Sequence, residues 1–113
     1  MNANLENIKD KKILVVGLGK SGIAACQAMV RLGAEVSVQD SKREDDVDPQ
    51  LVTFLKGRGV SCYFDRVPCD IGIYDMMILS PGVSPELPFI KEAQEKGVEI
   101  IGELEIAYRI GKG

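Results

Sequence analysis

Apolar residues in this chain fall into short blocks closed by turn residues, and most blocks are followed by a longer stretch with helical spacing. Lys12–Val16 is nearly all apolar and predicts a first strand. Ser21–Leu32 sets Ile23, Cys26, Met29 and Val30 near one face of a helix, with Gly33 as its stop. Glu35–Gln39 predicts a second strand, and Asp40–Asp46 a polar loop. Asp48 and Pro49 suit the N-cap and first position of a second helix reaching about Arg58. Val60–Phe64 reads as strand three, Asp65–Asp70 as a loop containing Pro68, and Tyr74–Leu79 as strand four. Pro85–Lys96 is mostly helical in pattern, with Pro88 in its first turn, and Val98–Ile101 is strand five. Glu103–Ile110 predicts a short final helix before a Gly-Lys-Gly tail.

Strand–helix alternation of this kind implies a parallel sheet covered on both faces. Right-handed crossovers and the doubly wound rule give an α/β, Rossmann-like fold of five mostly parallel strands in the order 3-2-1-4-5. Strands one and four are then neighbours, and the loops that leave them diverge to open a crevice at the carboxyl edge.

One of those loops carries the strongest chemical signal. Gly17-Leu18-Gly19-Lys20-Ser21-Gly22 follows a strand and opens a helix, the context in which G-x-G-x-x-G binds a phosphate-bearing nucleotide. Gly17 permits the sharp turn, Gly19 lets a phosphate approach the backbone, and Gly22 allows close helix–sheet packing. The free N–H groups of the helix's first turn and its dipole then face the anion. The loop after strand four, Ser80-Pro81-Gly82-Val83, offers a second bare backbone stretch. Asp40 ends strand two 18 positions past Gly22, where an acid accepts from the ribose hydroxyls of NAD. The same acid can accept the N3–H of uracil, so NAD and a UDP-sugar both remain open on the residues alone.

Each feature also has a plainer reading. Ser21 can cap the first helix, Asp40 can initiate the turn that follows it, Lys20 can be a solvated side chain, and Ser80-Pro81-Gly82 can be a simple turn. Glu44, Asp45, Asp46 and Asp48 read as a solvated acidic loop without metal-ligand spacing. Glu103 and Glu105 suit the dipole at a helix start.

Composition narrows the field. The chain has 113 residues, which suits one domain, preceded by a polar segment over residues 1–10. A net charge of −3 argues against nucleic-acid binding through a basic surface. No apolar run approaches the roughly 20 residues needed to span a bilayer, and the opening residues do not resemble a signal peptide. Three cysteines without C-x-x-C spacing read as cytoplasmic free thiols, Cys26 as a packing residue. With no histidine, the usual general base and commonest zinc ligand are missing, and no metal site is expected.

Four segments occur in a telling order: GLGKSGIAA (17–25), VQDSK (38–42), LSPGV (79–83) and GVEIIGELEIAYR (97–109). Together they resemble the N-terminal domain of the Mur ligases, and within them the branch that adds D-glutamate in bacterial peptidoglycan synthesis. The resemblance implies that this domain holds the UDP part of UDP-N-acetylmuramoyl-L-alanine. The UDP-binding set would be Gly17, Leu18, Gly19, Lys20, Ser21, Gly22, Asp40, Ser41, Lys42, Ser80, Pro81 and Gly82. Lys20 and Ser21 would meet the diphosphate. Asp40, Ser41 and Lys42 would meet the uracil end, with Gly82 offering backbone to it. Lys42 lacks the planar fork with which an arginine stacks on a base.

The resemblance also implies what lies outside this stretch. ATP and magnesium belong to a central domain with a P-loop, and D-glutamate is bound with help from a third domain. No G-x-x-x-x-G-K-[ST] occurs here, because the position five before Gly19 is Leu14. The chain therefore reads as the substrate-docking portion of a longer ATP-dependent ligase, a bacterial cytoplasmic monomer in expectation, inactive by itself and holding no catalytic residue. An NAD(H)-binding module, either a regulatory sensor or a dehydrogenase fragment, is the competing expectation. Neither form of it requires Ser80–Val83 or Gly102–Glu105.

Overall fold

Ile13, Leu14, Val15 and Val16 are buried on both sides of the first strand, which places that strand at the centre of the sheet. The computed structural model, which describes residues 8–103, 105 and 106, shows five parallel strands in the order β3-β2-β1-β4-β5. They are β1 (Lys12–Val16), β2 (Glu35–Asp40), β3 (Ser61–Phe64), β4 (Met76–Leu79) and β5 (Glu99–Gly102). All four pairings are parallel, so the expected order holds without an antiparallel member. Three helices connect them: α1 (Lys20–Arg31), α2 (Pro49–Gly57) and α3 (Pro88–Glu95).

The period-two alternation of a strand divides the core into two layers. Ile13 and Val15 face the same layer as Val36, Val38 and Ile78, covered by Ala25, Cys26 and Met29 of α1 and Leu55 of α2. Leu14 and Val16 face the other layer with Met77 and Leu79, covered by Ile90 and Ala93 of α3. Gly22, Ala25, Cys26 and Met29 are the buried residues of α1, spaced so that they share one stripe. A fully buried aliphatic side chain stabilises by about 1.5–3 kcal/mol, so truncating Leu14 to Ala is expected to cost about 2–5 kcal/mol. The inner core reaches back to Ile8, which is 2% exposed, and the Asp10 N–H donates to the Gly33 carbonyl at 3.0 Å.

Several boundaries differ from the sequence reading for local reasons. Helix α3 starts at Pro88 rather than Pro85, and Leu87 holds ψ 141. A residue before proline is pushed out of the helical region, so Leu87 cannot continue a helix. Strand β4 starts at Met76, whose register partner on β5 is Glu99. Just before it, Asp75 donates its N–H to the Lys12 carbonyl at 2.7 Å and accepts from the Glu99 N–H at 3.2 Å, and its side chain accepts from the Lys12 N–H at 2.8 Å. Two single 3₁₀ turns form as well, Glu44–Asp46 within the polar loop after β2 and Ile71–Ile73 between the Pro68 loop and β4. The second helix begins as expected, with Asp48 accepting from the Gln50 N–H at 2.9 Å and Pro49 in the first position. Of the final helix expected over 103–110, residues 103, 105 and 106 are helical, and the remainder lies outside the described residues. Among the described residues no helix is long and apolar enough to cross a membrane.

Candidate functional site

Parallel strands leave all their carboxyl ends at one edge, and the sheet order puts β1 between β2 and β4. The turns after these three strands therefore meet at one rim. The Gly17 N–H donates to the Gln39 carbonyl at 2.7 Å, and the Ser80 N–H donates to the Val16 carbonyl at 3.0 Å, so both flanking strands extend their pairing into the glycine loop.

Side chains then lock the loop from both sides. On the β2 side, Asp40 accepts from the Leu18 N–H through Oδ2 and from the Lys42 N–H through Oδ1, both at 2.8 Å. On the β4 side, the Ser80 hydroxyl donates to the Gly17 carbonyl at 2.9 Å. Asp40 thus does what its plainer reading foresaw, initiating a turn, and also anchors the glycine loop across 22 positions. Neither the Leu18 bond nor the Ser80 bond was foreseen. Acid at a strand end and serine opening a turn are common, and nothing in their spacing marks a bond between loops.

The three glycines do different jobs. Gly17 adopts φ +94, and a Cβ there would stand 3.0 Å from the Ser80 side chain. A Cβ on Gly22 would lie 1.9 Å from the Gly17 carbonyl oxygen, so only glycine lets α1 seat on the loop. A Cβ on Gly19 would meet nothing within 4 Å. Gly19 is therefore free of any packing demand, and the space above it is open to an incoming group. It is also the N-cap of α1, in extended backbone and with no side-chain capping bond.

Ser21 lies inside α1 rather than at its cap, which removes the capping explanation for it. The backbone N–H groups of this first turn have no intrahelical acceptor and face the rim with the positive end of the helix dipole. Lys20, Ser41, Lys42, Pro81 and Gly82 are exposed around the same rim. Among the described residues neither Lys20 nor Lys42 has a carboxylate within ion-pair distance, so both charges are available to an anion. Asp40 and Gly82 flank the glycine loop from opposite sides, since β1 separates β2 from β4.

Beyond Ser80 the rim continues into a recess of about 370 Å³ between the ends of β4 and β5, bounded by Leu79, Val83, Ile100 and Glu103. Glu103 Oε2 is out of contact with water and has no hydrogen-bond partner among the described residues. On the residues alone Glu103 suits the dipole at a helix start, and the family resemblance adds a domain-junction role. A groove of about 290 Å³ with a mixed lining, Cys26 and Phe54 beside Gln27, Arg31 and Arg58, lies between α1 and α2 and away from the rim. Its Arg58 guanidinium stacks on the Phe54 ring at 4.8 Å, a structural use of that cation.

Cys26 and Cys62 are not placed for chemistry. Burial pushes the Cys26 thiol up to about 11, helped by the neighbouring Cys62. Cys62 is raised as well, chiefly by burial, with Lys56 opposing the shift. Both stay protonated near neutral pH, consistent with packing roles. The acidic stretch is a 3₁₀ turn in which Glu44 pairs with Lys56 at 3.6 Å and Asp45 with Arg43 at 3.6 Å.

Comparison with known proteins agrees with this geometry. Residues 11–102 match the family model described as Mur ligase MurD-like, N-terminal domain. A UDP-N-acetylmuramoylalanine--D-glutamate ligase from Caldicellulosiruptor saccharolyticus is 39% identical over 100 residues, covering 88% of this chain and 22% of the relative. A ligase of the same name from Pelobacter propionicus is 41% identical over 105 residues, covering 90% of this chain and 23% of the relative. Among solved structures, a pseudomurein peptide ligase type C from Methanothermus fervidus superposes with a TM-score of 0.72 at 22% identity. That match covers 87% of this chain and 20% of the other, and shows the fold. The chain thus spans less than a quarter of the length of the curated relatives it matches.

Proposed function

Because the chain belongs to the Mur ligase MurD-like N-terminal domain family, we propose that it is the substrate-docking domain of a ligase adding D-glutamate to UDP-N-acetylmuramoyl-L-alanine, and that it grips the UDP moiety. The observation that carries this reading is the glycine loop, held between Asp40 and Ser80 while Gly19 and the first turn of α1 stay open. A diphosphate placed there would take the N–H groups of residues 20–22, with Lys20 as a nearby point charge and the Ser21 hydroxyl as a further donor. The uridine would lie on the β2 side, over Asp40, Ser41 and Lys42. Gly82, on the β4 side, would then border the diphosphate rather than the uracil.

Asp40 has already committed one lone pair on each oxygen to backbone donors. Each carboxylate oxygen retains acceptor capacity, so a uracil N3–H or a ribose hydroxyl can still be received. ATP and magnesium would belong to the part of the enzyme outside this chain and would activate the substrate carboxylate. The present residues contribute position: remote binding of UDP holds the reacting end where it must be.

Thermal-shift measurements with UDP, UDP-N-acetylmuramoyl-L-alanine and NAD test the reading. Stabilisation by both uridine ligands and none by NAD is expected. Stabilisation by NAD alone would replace it with a dinucleotide-binding role.

A further inference from the structure

The groove between α1 and α2 lies away from the rim and has no part in the proposed UDP site. Its lining holds two guanidinium groups, Arg31 from the last turn of α1 and Arg58 from the C-cap of α2, and no acid. We propose that this groove is a binding site for a small amphipathic carboxylate, a molecule with one anionic head and one compact apolar body. The proposal stands independently of the UDP reading.

Charge argues for the head. The chain carries a net charge of −3, yet among the described residues neither arginine has a carboxylate within ion-pair distance. Two like charges lining one groove repel each other, and a single anion between them relieves both. Arg58 is also oriented, because its guanidinium lies over the Phe54 ring at 4.8 Å. Stacking engages the face of the guanidinium and leaves its in-plane N–H donors free, the fork that matches a carboxylate. Cys26 adds no opposing charge, since burial pushes its thiol up to about 11 and keeps it neutral.

The inner wall argues for the body. Cys26, Leu55 and Val60 are buried residues of the core that also line the groove, and Phe54 lines it while 37% exposed. An apolar group seated there removes this surface from water while the arginines hold the charged end. The volume of about 290 Å³ lies at the lower end of small-molecule sites, which begin near about 300 Å³. One ring on a short arm suits that space, and a nucleotide does not.

Amide shifts of isotope-labelled protein, followed by NMR during titration with phenylpropionate, phenylpropionamide and acetate, are the test. Phenylpropionate is expected to shift residues 26–31 and 54–60, with a Kd of about 1 mM or tighter. The amide lacks the charge and acetate lacks the body, so each should bind at least about tenfold more weakly. Arg31→Gln and Arg58→Gln should each weaken phenylpropionate about tenfold, and melting of both variants with the wild type would show that they fold. Arg58→Lys, which keeps the charge without the fork, should retain part of the affinity. Phenylpropionamide matching phenylpropionate overturns the carboxylate assignment, and acetate matching it overturns the apolar body. No shifts in the groove at about 10 mM phenylpropionate, or affinity that survives both glutamine variants, overturns the site.

Discussion

Replacing Gly22 with alanine separates packing from ligand binding in the glycine loop. The added Cβ would stand 1.9 Å from the Gly17 carbonyl oxygen and 3.0 Å from Ser80 Oγ. A relaxed carbon–oxygen contact is about 3.3 Å, so the start of α1 must retreat by roughly 1.4 Å. Overpacking of this kind costs about 1–3 kcal/mol, and a backbone obstacle puts it at the upper end. Loss of the Ser80–Gly17 hydrogen bond adds about 1 kcal/mol. Alanine recovers up to about 1 kcal/mol through its higher helix propensity. The net loss is about 3 kcal/mol, which lowers Tm by roughly 12–24 °C in a domain of this size. Gly19→Ala is the control, because its Cβ meets nothing within 4 Å. It should cost no more than about 1 kcal/mol, the difference between glycine and alanine at an N-cap. Its effect should instead be on UDP, weakened about tenfold because the methyl occupies the approach of the phosphate. Calorimetric melting and UDP titration of both variants supply the numbers. A Gly22→Ala domain that melts with the wild type, or a Gly19→Ala domain that keeps wild-type UDP affinity, refutes the division of labour.

Asp40→Ala removes the acceptor of two backbone N–H groups. It should lower stability by about 2 kcal/mol in urea melts and weaken UDP as the loop loosens, with Asp40→Asn recovering part of each. Lys20→Ala should leave Tm within about 1 °C, reduce UDP affinity and flatten its dependence on salt, as loss of an exposed cation near a phosphate requires; an unchanged salt dependence would remove Lys20 from the site. Exposed Cys69 should react with a thiol reagent at pH 8 ahead of Cys62, and buried Cys26 only on unfolding, as mass spectrometry would show. The Cys26 thiol rises from 9.0 to about 11 on folding, so the folded state favours its protonated form. That contribution is complete below about pH 9 and is lost as pH rises toward 11, so urea midpoints should fall across that window, and less steeply in Cys26→Ala, where Cys62, also raised by burial, still contributes.

The topology was readable because β1 is apolar on both faces, and each later strand is set off by its own turn residues. The first and second helices were placed within a residue or so by Gly33, Asp48 and Pro49. Reading Pro85–Leu87 as helix failed because the constraint of Pro88 on its predecessor outweighs a permissive pattern. The Ser80 loop was singled out by its Pro-Gly pair, but its bond to Gly17 joins residues 63 positions apart. Asp40 likewise carried a ligand role in the sequence, and its bond to Leu18 emerges only once β2 lies beside β1. Glu103 drew attention as a helix-starting acid. That one of its oxygens is dry and unpartnered among the described residues emerges only in the folded chain, and no local spacing encodes it.

Amide shifts of isotope-labelled protein, followed by NMR while UDP is added, test the central claim most directly. The account predicts that the largest changes fall on residues 18–22, 41–42 and 82–83, the three turns of the rim. Changes confined to the groove around Phe54 and Arg58, or rim shifts produced by NAD and not by UDP, would contradict it.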